Sequence, residues 1–411
     1  MRKAYVNGVL FDAKATAFIV DDGKFVLFGS DEEILRLALP SEVTDLKGAF
    51  VTPGMYAMDV SLLEIAESME LPWVNDRDSL LRYGEKYPSE KILVAYGDDK
   101  LERKDVEMER PVVLKQKDGY TLNCAAMDLA QFEDGAFGVD FAKGKVKWPS
   151  TILVDEELPA PRNDHLEKNI EAAAKYLGAS GYTHVATDDF NVIFHDRKRV
   201  IDLYDKMTSG KWMGLRIKML CSFEKIDDFV AFLDEGRLFG DGDERLRIAH
   251  LRLREKDAEE RRLFALLGAK FNTPTLIDDG EDIHDLYKEC VYEGNPLGHG
   301  IVSNNASYMD KGYYIVSETV YDNPLCVVRP ERFRPNALAQ IIALKRQGVS
   351  QSVAIRAMSQ NPARMLLEAD SVGFLKQGFE ADFCVFSDTE INEETIVQLV
   401  VCEGKTVYQA K

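Results

Sequence analysis

The sequence lacks long hydrophobic runs and is short of positive charge. No apolar run among its 411 residues approaches the roughly 18–20 residues that span a bilayer. Lysine and arginine number 51 against 70 aspartates and glutamates, a net charge of −19. Such an acidic chain repels phosphate backbones and anionic lipids, so we expect neither a nucleic-acid nor a membrane partner. Asn7 and Asp12 interrupt the basic start MRKAYVNGVLFD, which argues against a secretion signal and favours a cytoplasmic protein.

Cysteine and histidine are also scarce, with six of each. The cysteines are scattered without a CxxC pair, which favours reduced thiols packed in cores over disulfides or a zinc ribbon. No two histidines stand two or four residues apart, the spacings that build metal pairs on strands and helices. The GxSxG, GxxxxGK[ST] and GxGxxG motifs are absent, so serine-hydrolase and nucleotide-binding chemistries find no support.

Both ends of the chain are rich in β-forming residues. The first fifty contain AYVNGVLFD and ATAFIVDDGKFVLFGS, with hairpin-type turns at Asn7-Gly8 and Asp22-Gly23. The last forty contain VGFLKQGFEADFCVFS and TIVQLVVCEGKTVYQ. We predict that residues 1–50 and 372–411 form one small β-sandwich domain, because chain termini often lie close together.

Residues 51–371 alternate strands with helices. Apolar β-rich runs include GYTHVAT, GLRIKMLCS, RLRIAHLRL and YYIVSET, and amphipathic helices such as LEKNIEAAAKYLG stand between or after them. This alternation is typical of a parallel sheet with covering helices. Repeated this often, it predicts an α/β fold, a distorted (β/α)₈ TIM-like barrel.

Several phrases resemble the amidohydrolase superfamily, more narrowly its amidohydrolase-3 branch, which holds the N-substituted formamide deformylases. They are VNGVLFD, AFIVDDGKFVLFGSDEEI and VTDLKGAFVTPG near the start, RPVVLKQKDGYTLNCAAMDLA, and the closing AIRAMSQNPARMLLEADSVGFLKQGFEADFCVFS. The resemblance implies a metal-dependent hydrolase barrel with a β-sandwich built from both termini. It also implies a site at the carboxyl ends of the strands, where metal activates water and an aspartate moves the proton.

The metal ligands that the resemblance implies are degenerate in this chain. Asp59 and Ser61 stand where the family carries its first-strand His-x-His, after Pro53-Gly54. They share one face of the strand, but a serine hydroxyl is a poor ligand for zinc. We therefore assign no metal ligand and expect no cofactor beyond at most one weakly held divalent ion such as zinc.

The later positions of the family's ligand set are degenerate as well. If KMLCSF were the fifth strand, Leu220 or Cys221 would replace its histidine, while His250 fits either the sixth or the fourth strand. Glu318 aligns with the family's final aspartate, and Tyr120 stands where relatives carry a pocket-facing histidine. The predicted site has Glu318, Asp59 and His250 as catalytic residues and Ser61 and Tyr120 as substrate-binding residues.

Two functional hypotheses remain open. The first is a hydrolase of carbon–nitrogen bonds, other than peptide bonds, in small amides. The second is a non-catalytic family member that binds a small molecule or assembles with a partner, and a homodimer is compatible with either. Fold does not fix function, so the site must decide between them.

Overall fold

The computed structural model describes residues 2–133, 135–148, 150–158, 163–192, 196–210, 213–254, 257–293 and 298–410. Residues 2–53 form short strands and one helix, followed by a 3₁₀ turn at Pro40–Glu42. Asp22 and Gly23 both have positive φ, so this tight turn takes the left-handed conformation that its Asp-Gly sequence favours. The elements are β1 (Lys3–Val6), β2 (Val9–Leu10), β3 (Ala17–Asp21), β4 (Lys24–Gly29), α1 (Asp31–Leu37), β5 (Val43–Asp45) and β6 (Phe50–Pro53).

The next segment contains one buried strand, β7 (Met55–Val60), and then a separate sheet that the sequence analysis did not anticipate. Six strands pair in the order β12-β13-β11-β10-β9-β8, parallel from β8 to β10 and antiparallel beyond. This insertion has its own apolar core around Leu80 and Leu114. Its elements, with the helix before it, are α2 (Leu62–Glu70), β8 (Trp73–Val74), α3 (Arg77–Lys86), β9 (Leu93–Gly97), α4 (Arg103–Val106), β10 (Val112–Gln116), β11 (Gly119–Leu122), α5 (Cys124–Leu129), β12 (Val139–Asp140), β13 (Lys145–Val146) and α6 (Thr151–Glu157).

Strand β7 and seven later strands form an eight-stranded parallel sheet in chain order, which curls into a nearly closed, TIM-like barrel. Small and apolar side chains such as Met58, Ala186, Leu276 and Val327 fill its interior. The remaining elements of this segment are α7 (Asn163–Ala179), β14 (Tyr182–Thr187), α8 (Arg197–Ser209), β15 (Arg216–Cys221), α9 (Ile226–Asp234), β16 (Leu246–Leu253), α10 (Ala258–Lys270), β17 (Thr275–Asp278), α11 (Ile283–Glu293), β18 (Gly300–Val302), β19 (Tyr314–Ser317), β20 (Cys326–Val328), α12 (Ala337–Arg346), α13 (Gln351–Met358) and α14 (Gln360–Met365). A 3₁₀ turn at Ala306–Lys311 precedes β19.

The chain ends with β21 (Phe383–Phe386), β22 (Val397–Cys402) and β23 (Lys405–Gln409). These three strands join β2 and β6 in a five-stranded sheet of order β2-β6-β21-β22-β23, while β4, β3, β1 and β5 form a four-stranded sheet. The ring of Phe383 packs edge-on against Tyr5 and Phe18, so the two ends of the chain share an apolar core. The division into domains at residues 50 and 372 stays a prediction.

The barrel order fixes the strand positions that the sequence left open. β16, which carries His250, is the fourth barrel strand; β15, with Leu220 and Cys221, is the third. β19 ends at Ser317 and is the seventh strand, so Ser317-Glu318 does not close the last strand; Arg329 follows that strand, β20. None of the helices in the described ranges is long and apolar enough to cross a bilayer.

Candidate active site at the barrel mouth

A cavity of about 410 Å³ opens at the carboxyl ends of the barrel strands. One wall comes from the barrel, where strand ends present charged side chains, as parallel barrels do. The opposite wall comes from the insertion, which contributes residues 115–120 and the region around Asp155. The full lining is Ser61, Glu64, Lys115, Gln116, Lys117, Asp118, Gly119, Tyr120, Lys147, Trp148, Thr151, Asp155, Asp188, Asn191, Val192, Arg252, Arg254, Asp278, Arg329 and Arg332.

Asp59 lies beneath this cavity, at the end of β7, in contact with two arginines. Its Oδ1 accepts from Nε of Arg252 at 2.7 Å, and its Oδ2 lies 3.0 Å from Nη2 of Arg329. The residue has φ of +53°, an uncommon conformation for a residue other than glycine. Burial by itself would raise the pKa of Asp59, but the guanidinium groups of Arg252, Arg329 and Arg254 lower it below its usual range. Asp59 is therefore a buried carboxylate whose charge is matched by arginines.

Two further acid–arginine pairs continue the floor of the cavity. Arg252 also donates from Nη2 to Oδ1 of Asp278 at 2.5 Å, so it joins the ends of β7, β16 and β17. Arg254 donates from Nε to Oδ2 of Asp188 at 2.6 Å, and Ser222 donates to the other oxygen of Asp188 at 2.5 Å. Burial disfavours the charged form of Arg254, yet Asp188, Asp59 and Asp278 raise its pKa overall. The floor thus holds fixed guanidinium charges.

The residues at this position do not fit the metal that the resemblance implies. Both oxygens of Asp59 already accept from guanidinium groups, and the positive charge of Arg252 stands beside them. Ser61 caps α2, accepting from the backbone N–H of Glu64, and its hydroxyl donates to Asp189. Among the described residues, no group of three His, Cys, Asp or Glu side chains is arranged to hold an ion. The guanidinium group of Arg252 takes the place of a metal ion at this strand end.

The insertion wall carries a carboxyl with a shifted pKa. Tyr120 donates from its hydroxyl to Asp155 at 2.8 Å, and Asp155 lines the cavity. Burial raises the pKa of Asp155 to about 6, against smaller lowering effects from Lys115 and the Tyr120 hydrogen bond. A carboxyl of this kind can exchange protons near neutral pH, which general acid–base catalysis requires.

Arg332 ties the two walls together. Its Nε and Nη2 form a bidentate pair with Glu64 of α2 at 2.9 and 2.7 Å, and its Nη1 donates to the carbonyl of Lys117 in the insertion. A bidentate arginine–carboxylate pair is both strong and directional. The spacing between the walls is therefore held by side chains as well as by the chain connections.

The structure places the five predicted site residues in three different surroundings. Ser61 and Tyr120 line the cavity and Asp59 lies under its floor. Glu318 is about half-exposed, contacts Lys117, and lies outside the lining. His250 is fully buried and its Nε2 lies 2.7 Å from the carbonyl oxygen of Gly298, which precedes β18. It therefore points to the amino-terminal side of the barrel, away from the cavity, and burial lowers its pKa to about 4.

The arginines of the floor were missed by the sequence analysis. Their signal was present: Arg252 and Arg254 are two residues apart at the end of an apolar strand, and Arg329 follows another such strand. Residues two apart share one face of a strand, so this strand end carries two arginines at the spacing that a metal-binding histidine pair would have. Asp155 offered no comparable signal, because its role depends on how the insertion folds back over the barrel.

No protein-family model and no curated protein sequence matches this chain. Solved structures do match over nearly its whole length. A metal-dependent hydrolase from Pyrococcus horikoshii OT3, described as uncharacterized, superimposes with a TM-score of 0.71 at 16% identity, covering 99% of this chain and 100% of its own. A second such hydrolase, from Pyrococcus furiosus, gives 0.64 at 16% identity over 94% and 99%. Guanine deaminase from E. coli gives 0.54 at 11% identity over the whole of both chains. At these identities the likeness shows the fold alone, and this chain has the same barrel fold as these structures.

Proposed function

We propose that this protein is a hydrolase of the amidohydrolase superfamily that cleaves a carbon–nitrogen bond, other than a peptide bond, in a small amide. The observation that carries the proposal is the cavity in which Asp155, with a pKa of about 6, faces the guanidinium groups of the barrel floor. An acid–base group and fixed positive charge both contribute to amide hydrolysis, the first by moving the proton and the second by stabilising the oxyanion.

The residues support a simple sequence of steps. The Asp155 carboxylate takes a proton from water as the water oxygen bonds to the amide carbon, and the carbonyl electron pair moves to its oxygen. The basic side chains of the cavity lining stabilise that oxyanion. The carbon–nitrogen bond then breaks as protonated Asp155 returns its proton to the nitrogen, which leaves as an amine. Asp155 regains its starting state and the products are an acid and an amine.

The family branch and the domain boundaries that we propose are supported by the resemblance of the sequence to the amidohydrolase superfamily. The terminal phrases support the amidohydrolase-3 branch, next to the N-substituted formamide deformylases, with residues 1–50 and 372–411 as a composite β-sandwich and 51–371 as the barrel. Guanine deaminase, one of the structures that this fold matches, is named for release of an amino group, which is also cleavage of a carbon–nitrogen bond. N-substituted formamides and cyclic amides are therefore the first substrates to test.

The test is hydrolysis of a panel of N-substituted formamides, anilides and cyclic amides by the purified chain, with and without a chelator. We expect turnover that the chelator does not abolish, and a loss of roughly 100-fold or more in Asp155→Asn. Glu156→Gln, an exposed neighbour on the same helix, is the matched control and should retain the rate. Absence of turnover across the panel, or full activity in Asp155→Asn, would overturn the proposal.

A second candidate is a non-catalytic binder, and one observation favours it. Arg252 donates to Asp59, Asp278 and the carbonyl of Leu253, so its guanidinium is occupied by the protein itself. A floor of this kind is rigid and suited to holding a ligand without reacting with it. Ligands that raise the melting temperature but are recovered unchanged after long incubation would favour this candidate over the hydrolase.

A further inference from the structure

We propose that the ligand of this cavity carries an anionic group, a carboxylate or a phosphate, and that Arg254 and Arg329 bind it. The inference rests on the proposed function in that the same cavity receives the substrate. It adds the chemical class of that substrate, which neither the fold nor the resemblance supplies.

Among the described residues, Arg254 and Arg329 keep guanidinium donors that the protein does not use, whereas the donors of Arg252 and Arg332 are all taken. Arg332 uses Nε, Nη1 and Nη2 on Glu64 and on the carbonyl of Lys117. Arg252 uses all three nitrogens on Asp59, Asp278 and the backbone. Arg254 uses only Nε, on Asp188, and within the described residues its Nη1 and Nη2 donate to nothing. Arg329 contacts Asp59 through Nη2, and its other guanidinium nitrogens have no partner in the part of the chain that the structure describes.

The side chains of Arg254 and Arg329 are exposed to the cavity, whereas that of Arg252 is buried. The side chains of Arg254 and Arg329 are 24% and 26% accessible, and both line the cavity, so their spare N–H groups face its interior. Arg252 is 1% accessible and serves the floor. An arginine pair held at one end by carboxylates is pre-oriented at the other, because each side chain has already lost most of its rotational freedom.

The charged side chains that line the cavity also favour an anionic ligand. Seven basic and five acidic side chains line the cavity, although acidic residues outnumber basic ones in the chain as a whole and give it a net charge of −19. Asp59, Glu67 and Glu318 lie just outside this lining and offset part of that charge, so the spare donors of Arg254 and Arg329 are what attracts an anion to this point. The planar guanidinium fork matches two oxygens of a carboxylate or phosphate, which a lysine ammonium cannot do.

The experiment measures anion binding by titration calorimetry at low ionic strength, with inorganic phosphate and succinate as probes. We expect both to bind the unmodified chain in competition with chloride, and the tighter probe identifies the anionic group. Arg254→Gln and Arg329→Gln should each weaken binding by roughly tenfold or more, the effect of losing a charge-assisted pair. Arg346→Gln, which alters an exposed arginine paired with Glu393, is the control and should bind normally.

Two further variants keep the test decisive. If Arg254→Gln does not fold, Arg254→Lys keeps the charge beside Asp188 but lacks the fork, and should still weaken binding severalfold. Asp155→Asn keeps both arginines and removes a negative charge from the cavity lining, so it should bind the probes at least as tightly as the unmodified chain even though the proposed hydrolysis requires Asp155. Normal binding with no turnover in any chain would sink the hydrolase and leave the anion site standing. No binding by the unmodified chain, or equal affinity in the Arg254 and Arg329 variants, would overturn the anion site.

Discussion

Nε of Arg252 lies 2.7 Å from Oδ1 of Asp59, and both side chains are almost fully buried. The carboxylate belongs to the first barrel strand and the guanidinium to the fourth, while Arg329, after the last strand, completes the contact at 3.0 Å. These ion pairs thus join the first barrel strand to the fourth and to the end of the last strand at the mouth of the barrel. A buried carboxylate needs such partners, since removing an unpaired charge from water is very costly.

Asp59→Asn should strongly destabilise the fold, because it leaves two arginines facing a neutral amide in a buried place. Breaking a buried pair by removing one partner typically costs about 3–5 kcal/mol. Urea unfolding at neutral pH measures the change. Glu32→Gln, which breaks the exposed pair with Arg36, is the control and should leave the unfolding midpoint in place. A midpoint for Asp59→Asn equal to that of the unmodified chain would show that Arg252 and Arg329 do not depend on Asp59.

Zinc binding should respond to Arg252 more than to the missing histidines. The double variant Asp59→His with Ser61→His introduces the first His-x-His pair of the family that the sequence resembles, but the guanidinium groups of Arg252 and Arg329 still repel a divalent ion there. We expect that double variant to gain only slight zinc affinity, and a triple variant with Arg252→Gln added to gain more. Elemental analysis after dialysis against zinc measures both. Stoichiometric zinc in the double variant would refute the view that arginine excludes the metal.

Periodicity predicted the parallel barrel well, because buried strands and amphipathic helices leave local patterns in sequence. The resemblance placed Asp59 and Ser61 at the mouth, because the Pro53-Gly54 that precedes their strand is a local feature of the sequence. Arg329 and Asp155 meet the site only through closure of the barrel and folding of the insertion, which depend on contacts far apart in sequence. His250 shows the converse. It is the histidine of the site predicted from the sequence, yet it packs toward the amino-terminal side of the barrel, away from the cavity.

Asp189 should make the protein less stable as pH rises from about 4 to 6. Burial raises its pKa to about 6, against hydrogen bonds from Ser61, Thr187 and Tyr204 that lower it. The folded chain therefore holds a proton that the unfolded chain, with an ordinary carboxyl near 3.8, has released, and stability falls as that proton is lost. We expect a contribution of about 1 kcal/mol between pH 5 and pH 7.

Comparison of Asp189→Asn with the unmodified chain isolates the pH-dependent contribution of Asp189 to the free energy of unfolding. The variant should lose the contribution, so that the difference in unfolding free energy between the two chains changes from pH 5 to pH 7. Asp202→Asn, on an exposed helix face, is the control for the substitution. An unchanged difference across this range would show that Asp189 is already ionised in the folded protein at pH 5.

His250 should produce a pH dependence of opposite sign, and no change in ligand binding. Burial lowers its pKa from 6.5 to about 4, against the hydrogen bond to the Gly298 carbonyl. The unfolded chain takes up a proton near pH 6.5 that the folded chain refuses until about pH 4, so stability falls as pH falls through that window. Between pH 7 and pH 5 the loss is about 2 kcal/mol.

His250→Gln removes the titrating group while its amide can still donate to Gly298, so the variant should lose this acid sensitivity. His165→Gln, an exposed histidine beside Glu70, controls for the substitution. Phosphate and succinate should bind His250→Gln as they bind the unmodified chain, because the side chain lies away from the cavity. Weakened anion binding with unchanged acid sensitivity would return His250 to the site that the sequence first suggested.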